Sequence, residues 1–237
     1  MTIPARYEGP AGGSVAFGEV ATSSVTTAAV NKTTYTEQAA NAGRRLVSSS
    51  VNDAAAGTGA RTVKITYFTV LGDVPNTETV ALNGTTAVNT VNTDICFIEK
   101  MEVLTAGSGG VPAGAITLHS TPTSGGVAVA SIAAGDNRTM YAHHYVARGR
   151  TCQVQSQSVN SSSAAAADGG DFVLKSTPIG GVAKQLGDTM RANGAQHTVH
   201  RYFGTPVQVD GPAHIQASVT SASTTATTHR AAFDFIE

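Results

Sequence analysis

Short alternating segments separated by turn residues are the feature that most constrains how this chain folds. Four or five such segments follow one another between Asp94 and Gln157, and the stretches between them are AGSGGVPAG, TPTSGG, AAGD and ARGR. Gly, Pro and Asp supply the backbone angles that turns need. Within Thr139–Val146, period two places successive side chains on opposite faces, as in a strand. The region is therefore predicted to be a run of β-strands.

The same pattern extends over most of the chain. Arg61–Leu71 and Glu78–Leu82 predict a hairpin, and further strands are predicted at Asp171–Ser176, His197–Phe203, Val207–Val209, His214–Thr220 and Arg230–Ile236. The region 177–197 is predicted to be a long loop with at most one helical turn. About ten short strands with almost no helix indicate an all-β fold. Eight core strands with long crossing connections favour a jelly-roll-like β-sandwich, and the absence of Trp excludes the Cys…Trp…Cys pattern of immunoglobulin domains.

Residues 1–60 differ from the rest because they are rich in Gly, Ala, Ser and Thr and carry few large apolar side chains. Such a segment buries little surface on its own. Three interpretations stay open: disorder, an extended arm that orders on a neighbouring subunit, or a short helix around Thr36–Ala42. We divide the chain into an extended N-terminal arm (1–60) and a β-sandwich domain (61–237). The residues expected to anchor the arm are Tyr7, Phe17, Tyr35, Arg44 and Arg45, the last two as an exposed basic pair or a contact to a partner carboxylate.

Composition narrows the class of function. Only 13% of the 237 residues are charged and the net charge is −1, about half the usual charged fraction, which favours a subunit of an assembly. The sequence has no basic field for nucleic acid and no apolar run of about 18 residues for a membrane span. It shows no secretory signal, so we expect synthesis in a cytoplasm. Cys96 and Cys152 are then expected to be buried thiols.

The sequence shows no pattern of catalytic or metal-binding residues. His143 and His144 are adjacent and should face opposite sides of a strand, and the spacing of His197 and His200 also separates them. These imidazoles are interpreted as polar groups at a strand surface or a subunit interface. The motifs GxSxG and GxxxxGK[ST] are absent, and no pair of carboxylates stands out. We therefore expect a protein that is not an enzyme and has no metal or cofactor.

Two long stretches of the sequence are RTVKITYFTVLGDVPNTETVALNGTTAVNTVNTDICFIEKMEV and GAITLHSTPTSGGVAVASIAAGDNRTMYAHHYVARGRTCQV. They resemble tailed-bacteriophage virion structural proteins. The segments that carry the resemblance are Ala81–Thr86, Ile95–Val103, Ile132–Asn137, Tyr145–Gly149, Asp171–Lys175 and Ala232–Asp234. It covers roughly residues 45–237 and departs at Ala147-Arg148, where the family more commonly has Pro-Ala.

The resemblance implies a jelly-roll-like subunit of a phage particle, assembled in the host cytoplasm and seated on the outer head as a decoration or cement protein. Its partners would be the major capsid protein and copies of itself, with a trimer as the first expectation. The alternative is a fibre or receptor-binding module on the neck or tail that recognises host glycans. The strand residues offered for that alternative are Tyr141, Tyr145, His143 and Tyr202.

Overall fold

A computed structural model describes residues 14–22, 24–163, 168–193, 195–221 and 226–237. All regular elements within these ranges are β-strands, which confirms the predicted all-β class. In chain order they are β1 (Ser14–Thr22), β2 (Thr27–Ala29), β3 (Arg45–Ser48), β4 (Ala60–Phe68), β5 (Asn76–Ala81), β6 (Val88–Asn89), β7 (Phe97–Ala106), β8 (Ile116–His119), β9 (Ala128–Ile132), β10 (His143–Val146), β11 (Thr151–Ser162), β12 (Gly169–Pro178), β13 (Lys184–Asn193), β14 (Ala195–Asp210), β15 (Ala213–Ser221) and β16 (Thr227–Ile236).

The chain folds into two compact units. The first combines the described residues up to Lys32 with Met140–Glu237, and the second is Thr33–Thr139. This division differs from the expected arm and single sandwich. Of the segment 1–60, β1 and β2 belong to the first unit and β3 belongs to the second.

The first unit is a jelly roll. Its strands pair in a nested, antiparallel order: β1 with β16, β10 with β15, β11 with β14, and β12 with β13. These pairs form two sheets, ordered β1-β16-β11-β14 and β10-β15-β12-β13. The second sheet also contains β2, which pairs with β15 beside β10, and β2 and β10 together take the place of one strand. Two sheets of four strand positions connected in this way are the double Greek key of a jelly roll, so the predicted jelly-roll-like sandwich is confirmed.

The second unit is inserted within one jelly-roll strand. The short strands β2 and β10 both pair with β15, at Thr27–Ala29 and His143–Val146 respectively. Between them the chain leaves and returns through an antiparallel bridge of Asn31 with Tyr141. Gly18 of β1 packs directly on this stem, since a Cβ there would lie 1.9 Å from the carbonyl oxygen of Val30. Only glycine allows so close a backbone approach.

The core of the first unit follows from strict alternation along β16. Ala231, Phe233 and Phe235 point inward, while the residues between them are partly exposed. They join a buried cluster with Phe172 and Ile215 from the opposite sheet. Each large apolar side chain buried there contributes about 1.5–3 kcal/mol.

The second unit has two antiparallel sheets, β6-β3-β8-β9 and β5-β4-β7. The predicted hairpin of Arg61–Leu71 and Glu78–Leu82 is present as β4 and β5. Apolar residues of both sheets are fully buried, including Leu46, Ile65, Met101, Leu118 and Ile132. The proposed helix around Thr36–Ala42 is absent, because this segment makes bends and an isolated bridge instead.

One buried carboxylate holds three segments of the second unit together. Asp53 Oδ1 accepts hydrogen bonds from the amides of Ala60 (2.7 Å) and Ala113 (2.8 Å). Its Oδ2 accepts from the Ser48 hydroxyl (2.5 Å) and the Gly114 amide (2.9 Å). Burial raises the pKa of this carboxyl, but the hydrogen bonds outweigh burial, so the pKa lies below its ordinary value.

The region 177–197 corrects a sequence-based expectation. It was predicted to be a loop, yet Lys184–Asn193 forms β13 at the edge of a sheet. Most of its side chains are exposed and only Leu186, Met190 and Ala192 turn inward. Alternation was hard to detect because a polar edge strand has so few inward apolar residues.

Substituting Asp53→Asn tests the buried carboxylate. In Asn an amide nitrogen replaces one carboxylate oxygen, and its N–H groups would face the donors that this oxygen now accepts from. We therefore expect a loss of about 2–3 kcal/mol in the free energy of unfolding. In the native protein this stabilisation is present above the ordinary Asp pKa and is lost as the pH falls through the lowered pKa. Denaturant unfolding at pH 7 and at acidic pH measures both effects. Asp73→Ala, at an exposed position in the loop between β4 and β5, is the control and should leave the free energy of unfolding at pH 7 unchanged.

Candidate functional site

A groove on the outward face of the sheet β1-β16-β11-β14 is the candidate site. It has a volume of about 410 Å³, within the usual range for ligand pockets. Ala232 on β16 is small and leaves a gap between the side chains of neighbouring strands. The other lining side chains come from all four strands and are Val15, Phe17, Ser158, Asn160, Thr198 and Arg230.

The register of the sheet explains why these side chains meet. Phe17 pairs with Ala232 and Ala232 pairs with Ser158, so the three lie side by side across the sheet. Two residues further along, Glu19, Arg230 and Asn160 form a parallel row. Because side chains alternate along each strand, both rows face outward.

Polar pairs border the groove. Arg230 Nε donates to Glu19 Oε2 at 2.7 Å, and Lys32 Nζ lies 3.7 Å from Glu19 Oε1. Asn160 Nδ2 donates to Thr198 Oγ1 at 3.2 Å. The arrangement can therefore receive an apolar or aromatic group in the middle and offer charged and amide groups at the border.

One large aromatic side chain projects from the same face. Tyr202 of β14 is 80% exposed, and it has the same strand parity as Thr198, which lines the groove. The inward residues of this strand, Val199 and Phe203, pack on the core. The alternation in HTVHRYF was visible in the sequence, but it did not reveal which face of the strand is exposed to solvent.

The residues expected to anchor an arm are not brought together in a single site. Tyr7 lies outside the described residues. Phe17 lines the groove of the first unit, whereas Tyr35 packs edge-on against Phe97 in the second unit at a ring-centroid distance of 5.7 Å. Arg45 is half-buried in β3.

Arg44 is not an exposed member of a basic pair, because only 2% of its surface is accessible. Its Nη1 donates to the carbonyl oxygen of Ser120 (2.5 Å), and its Nη2 donates to those of Ile95 (2.7 Å) and Ala40 (3.2 Å). Burial lowers the pKa of this guanidinium. The planar guanidinium joins three backbone segments of the second unit, so its role here is internal.

His229 is also an internal group. It is 0% exposed and its Nδ1 lies 2.9 Å from Ser161 Oγ. Its Nε2 lies 3.0 Å from Thr22 Oγ1 and 3.3 Å from Ser221 Oγ. Burial lowers the pKa of His229, so the neutral imidazole is favoured in the folded state.

Three more histidines of the first unit, His143, His144 and His214, are buried, so they are not exposed at a strand surface, and a place at a subunit interface stays a prediction. His143 packs against His214, with ring centroids 5.3 Å apart, while His144 stacks on Phe235 at 4.0 Å. His144 Nε2 also lies 3.4 Å from Glu237 Oε2. His144 lies on the core side of β10, whereas His143 and His214 lie on the opposite side of the sheet, as alternation along a strand requires.

Over the described ranges, no three His, Cys, Asp or Glu side chains are grouped as metal ligands. In the same part of the chain no helix is long and apolar enough to cross a membrane. Cys96 and Cys152 are both buried free thiols, as expected from the sequence.

Substituting Arg44→Ala separates an internal role from contact with a partner. Removing the guanidinium leaves three buried carbonyl oxygens without their donor, so we expect a loss of about 3 kcal/mol in the free energy of unfolding. Arg44→Lys should recover only part of it, because an ammonium group cannot span the three acceptors. Arg45→Ala is the control and should cost well under 1 kcal/mol. Equal stability of Arg44→Ala and the native protein would contradict this role.

Replacing His229 by glutamine tests its neutral state. Because the folded pKa is lowered, the unfolded chain binds more protons below about pH 6.5, and native stability falls as the pH drops below that value. The His229→Gln variant should be less stable at pH 7.5 but lose up to about 1.4 kcal/mol less per pH unit between pH 6.5 and 5.5. Urea unfolding across this range measures the slope. Val182→Ser, an exposed substitution that removes no titratable group, is the control and should keep the native slope.

Comparison with known proteins finds only distant similarity. No protein family model matches the sequence, and no curated protein matches it. A chain of the T13 IBDV viral particle is 9% identical with a TM-score of 0.28, over 89% of this chain and 55% of that one. A chain of the infectious bursal disease virus Gx strain is 9% identical with a TM-score of 0.29, over 96% and 68%. The chain thus spans about half the length of the first, and similarity at this level assigns it to no family.

Proposed function

We propose that the chain is a structural subunit of a tailed-bacteriophage particle, seated on the outer head as a decoration or cement protein. The observation that carries this proposal is the nested eight-stranded jelly roll with a second β unit inserted in one strand. Jelly rolls build viral capsids, lectins and cupins, so fold alone does not decide among these functions. The sequence resemblance to phage virion proteins favours the first.

The distribution of ionisable groups supports a structural role. Perturbed pKa values in a cleft are a sign of a reactive site. Here three of the groups with shifted pKa values, Asp53, Arg44 and His229, lie in buried networks that hold backbone segments or strands together. Their arrangement serves folding of the two units rather than chemistry on a substrate.

The proposed action is mechanical. The subunit binds the major capsid protein and further copies of itself at a symmetry position of the head, with a threefold position as the first expectation. Contacts repeated around a closed shell combine modest affinities into firm attachment. The result is a head that better resists the pressure of packaged DNA.

The alternative of glycan recognition on a neck or tail fibre receives less support. Of its four aromatic or histidine candidates, Tyr141, Tyr145 and His143 are buried in the first unit, and only Tyr202 is exposed. Buried rings cannot stack on a sugar without unfolding their surroundings.

The copy number of the chain in purified particles tests the proposal. We expect hundreds of copies per particle by quantitative mass spectrometry, with the major capsid protein as the internal standard, because a head lattice repeats its positions many times. Particles that lack the chain should release DNA at lower temperature and regain stability when it is added back. About a dozen copies or fewer would place the chain at the neck or tail, and absence from the particle would overturn the virion role.

A further inference from the structure

A projecting side chain and a recess occur on one solvent-facing sheet of the jelly roll. Tyr202 projects from β14 and is 80% exposed, and the groove over Ala232 opens on the same face. In the register of the sheet, Tyr202 pairs with Ser156 while Ala232 pairs with Ser158. The two features therefore lie two strands and about two residues apart, too far for Tyr202 to occupy its own groove.

From these features we infer that the face is a contact between copies of this chain, in which Tyr202 of each copy enters the groove of the other. A tyrosine suits such a recess because its ring fills an apolar space while its hydroxyl reaches the polar border. Tyrosines packed into recesses are frequent hot spots of interfaces. The groove supplies Phe17 and Val15 for the ring and Asn160 for the hydroxyl.

The charges on the face favour a second copy over a strongly charged partner. Arg230 and Lys32 both lie at Glu19, and the acidic residues Asp234 and Asp210 belong to strands of the same sheet. A face that carries both signs can match itself, whereas a field of one sign would select an oppositely charged partner. A contact between identical faces also closes with few copies and does not grow into a fibre.

The size of the face sets the expected strength. Four strands about 4.8 Å apart and nine residues rising about 3.3 Å each, as in β1, give roughly 600 Å² per copy. Two such faces bury roughly 1,200 Å², at the lower end for specific interfaces. We therefore expect a weak, concentration-dependent association of the isolated full chain, which needs no other virion component.

Sedimentation velocity of the full chain from about 1 to 100 µM tests this contact. The native chain should shift from monomer to a defined small oligomer. Tyr202→Ser, which removes the projection, and Ala232→Phe, which fills the recess, should each weaken association by at least about tenfold. The control is Val182→Ser, which removes an equally exposed apolar side chain (81%) in the β12–β13 turn, and it should associate like the native chain. Near-ultraviolet circular dichroism verifies that all variants remain folded.

A mixture of the two weakened variants gives the decisive result. The Tyr202→Ser variant keeps an open groove and the Ala232→Phe variant keeps its tyrosine, so together they can form one native contact that neither forms alone. We expect mixed oligomers in the mixture and nearly none in the separate samples. A monomeric native chain at about 100 µM, unchanged association of Tyr202→Ser, or failure of the mixture to associate would overturn the inference. So would a monomer that binds glycans through Tyr202.

Discussion

Closure of the jelly roll depends on the pairing of the first described strand with the last. β1 pairs with β16 along its whole length, from Ser14 with Phe235 to Thr22 with Thr227. This pairing joins residues more than 200 positions apart, so the sheet can be completed only when both ends of the chain are present. Gly18 lies in the middle of β1 and lets it press against the stem of the inserted unit. β1 thus completes one sheet and also packs against the backbone at Val30, where the chain leaves for the inserted unit.

Buried polar side chains hold segments that hydrophobic alternation alone does not position. Loops without secondary structure have backbone amides and carbonyls that need partners. In the second unit, Asp53 supplies acceptors to amides, and Arg44 supplies donors to carbonyls, each joining segments distant in sequence. In the first unit, His229 accepts and donates among hydroxyls of three other strands. Although only 13% of the residues are charged, these three ionisable side chains are buried and hold the interior together.

The sequence was sufficient to predict an all-β, jelly-roll-like sandwich but not the insertion of a second unit within one of its strands. Alternation and turn residues identified strands such as β4, β15 and β16, because each has a clear inward apolar face. They could not show that β2 and β10 share one neighbour, since that pairing connects residues far apart in the chain. The same limit hid the groove, whose residues come from four strands. The small residues in 1–60 suggested an arm, but those of β1 lie within a sheet. Gly18 of this strand is small because the backbone of Val30 approaches it closely.

The stem of the inserted unit depends on the backbone more than on side chains. The stem is held by backbone hydrogen bonds, among them Val30 N to Ala217 O and Lys32 N to Met140 O, which require no particular side chains. The jelly roll needs only that the two ends of the insertion stay adjacent, so substitutions within the inserted unit need not disturb the jelly-roll strands. The β1-β16-β11-β14 sheet, in contrast, carries the groove on its outward face and core residues on its inward face. A shift in the register of any of its strands would therefore disturb both. Small residues such as Ala232 and Ser158 at the centre of the outward face are consistent with a surface shaped to receive a side chain, since nothing in the core requires them to be small.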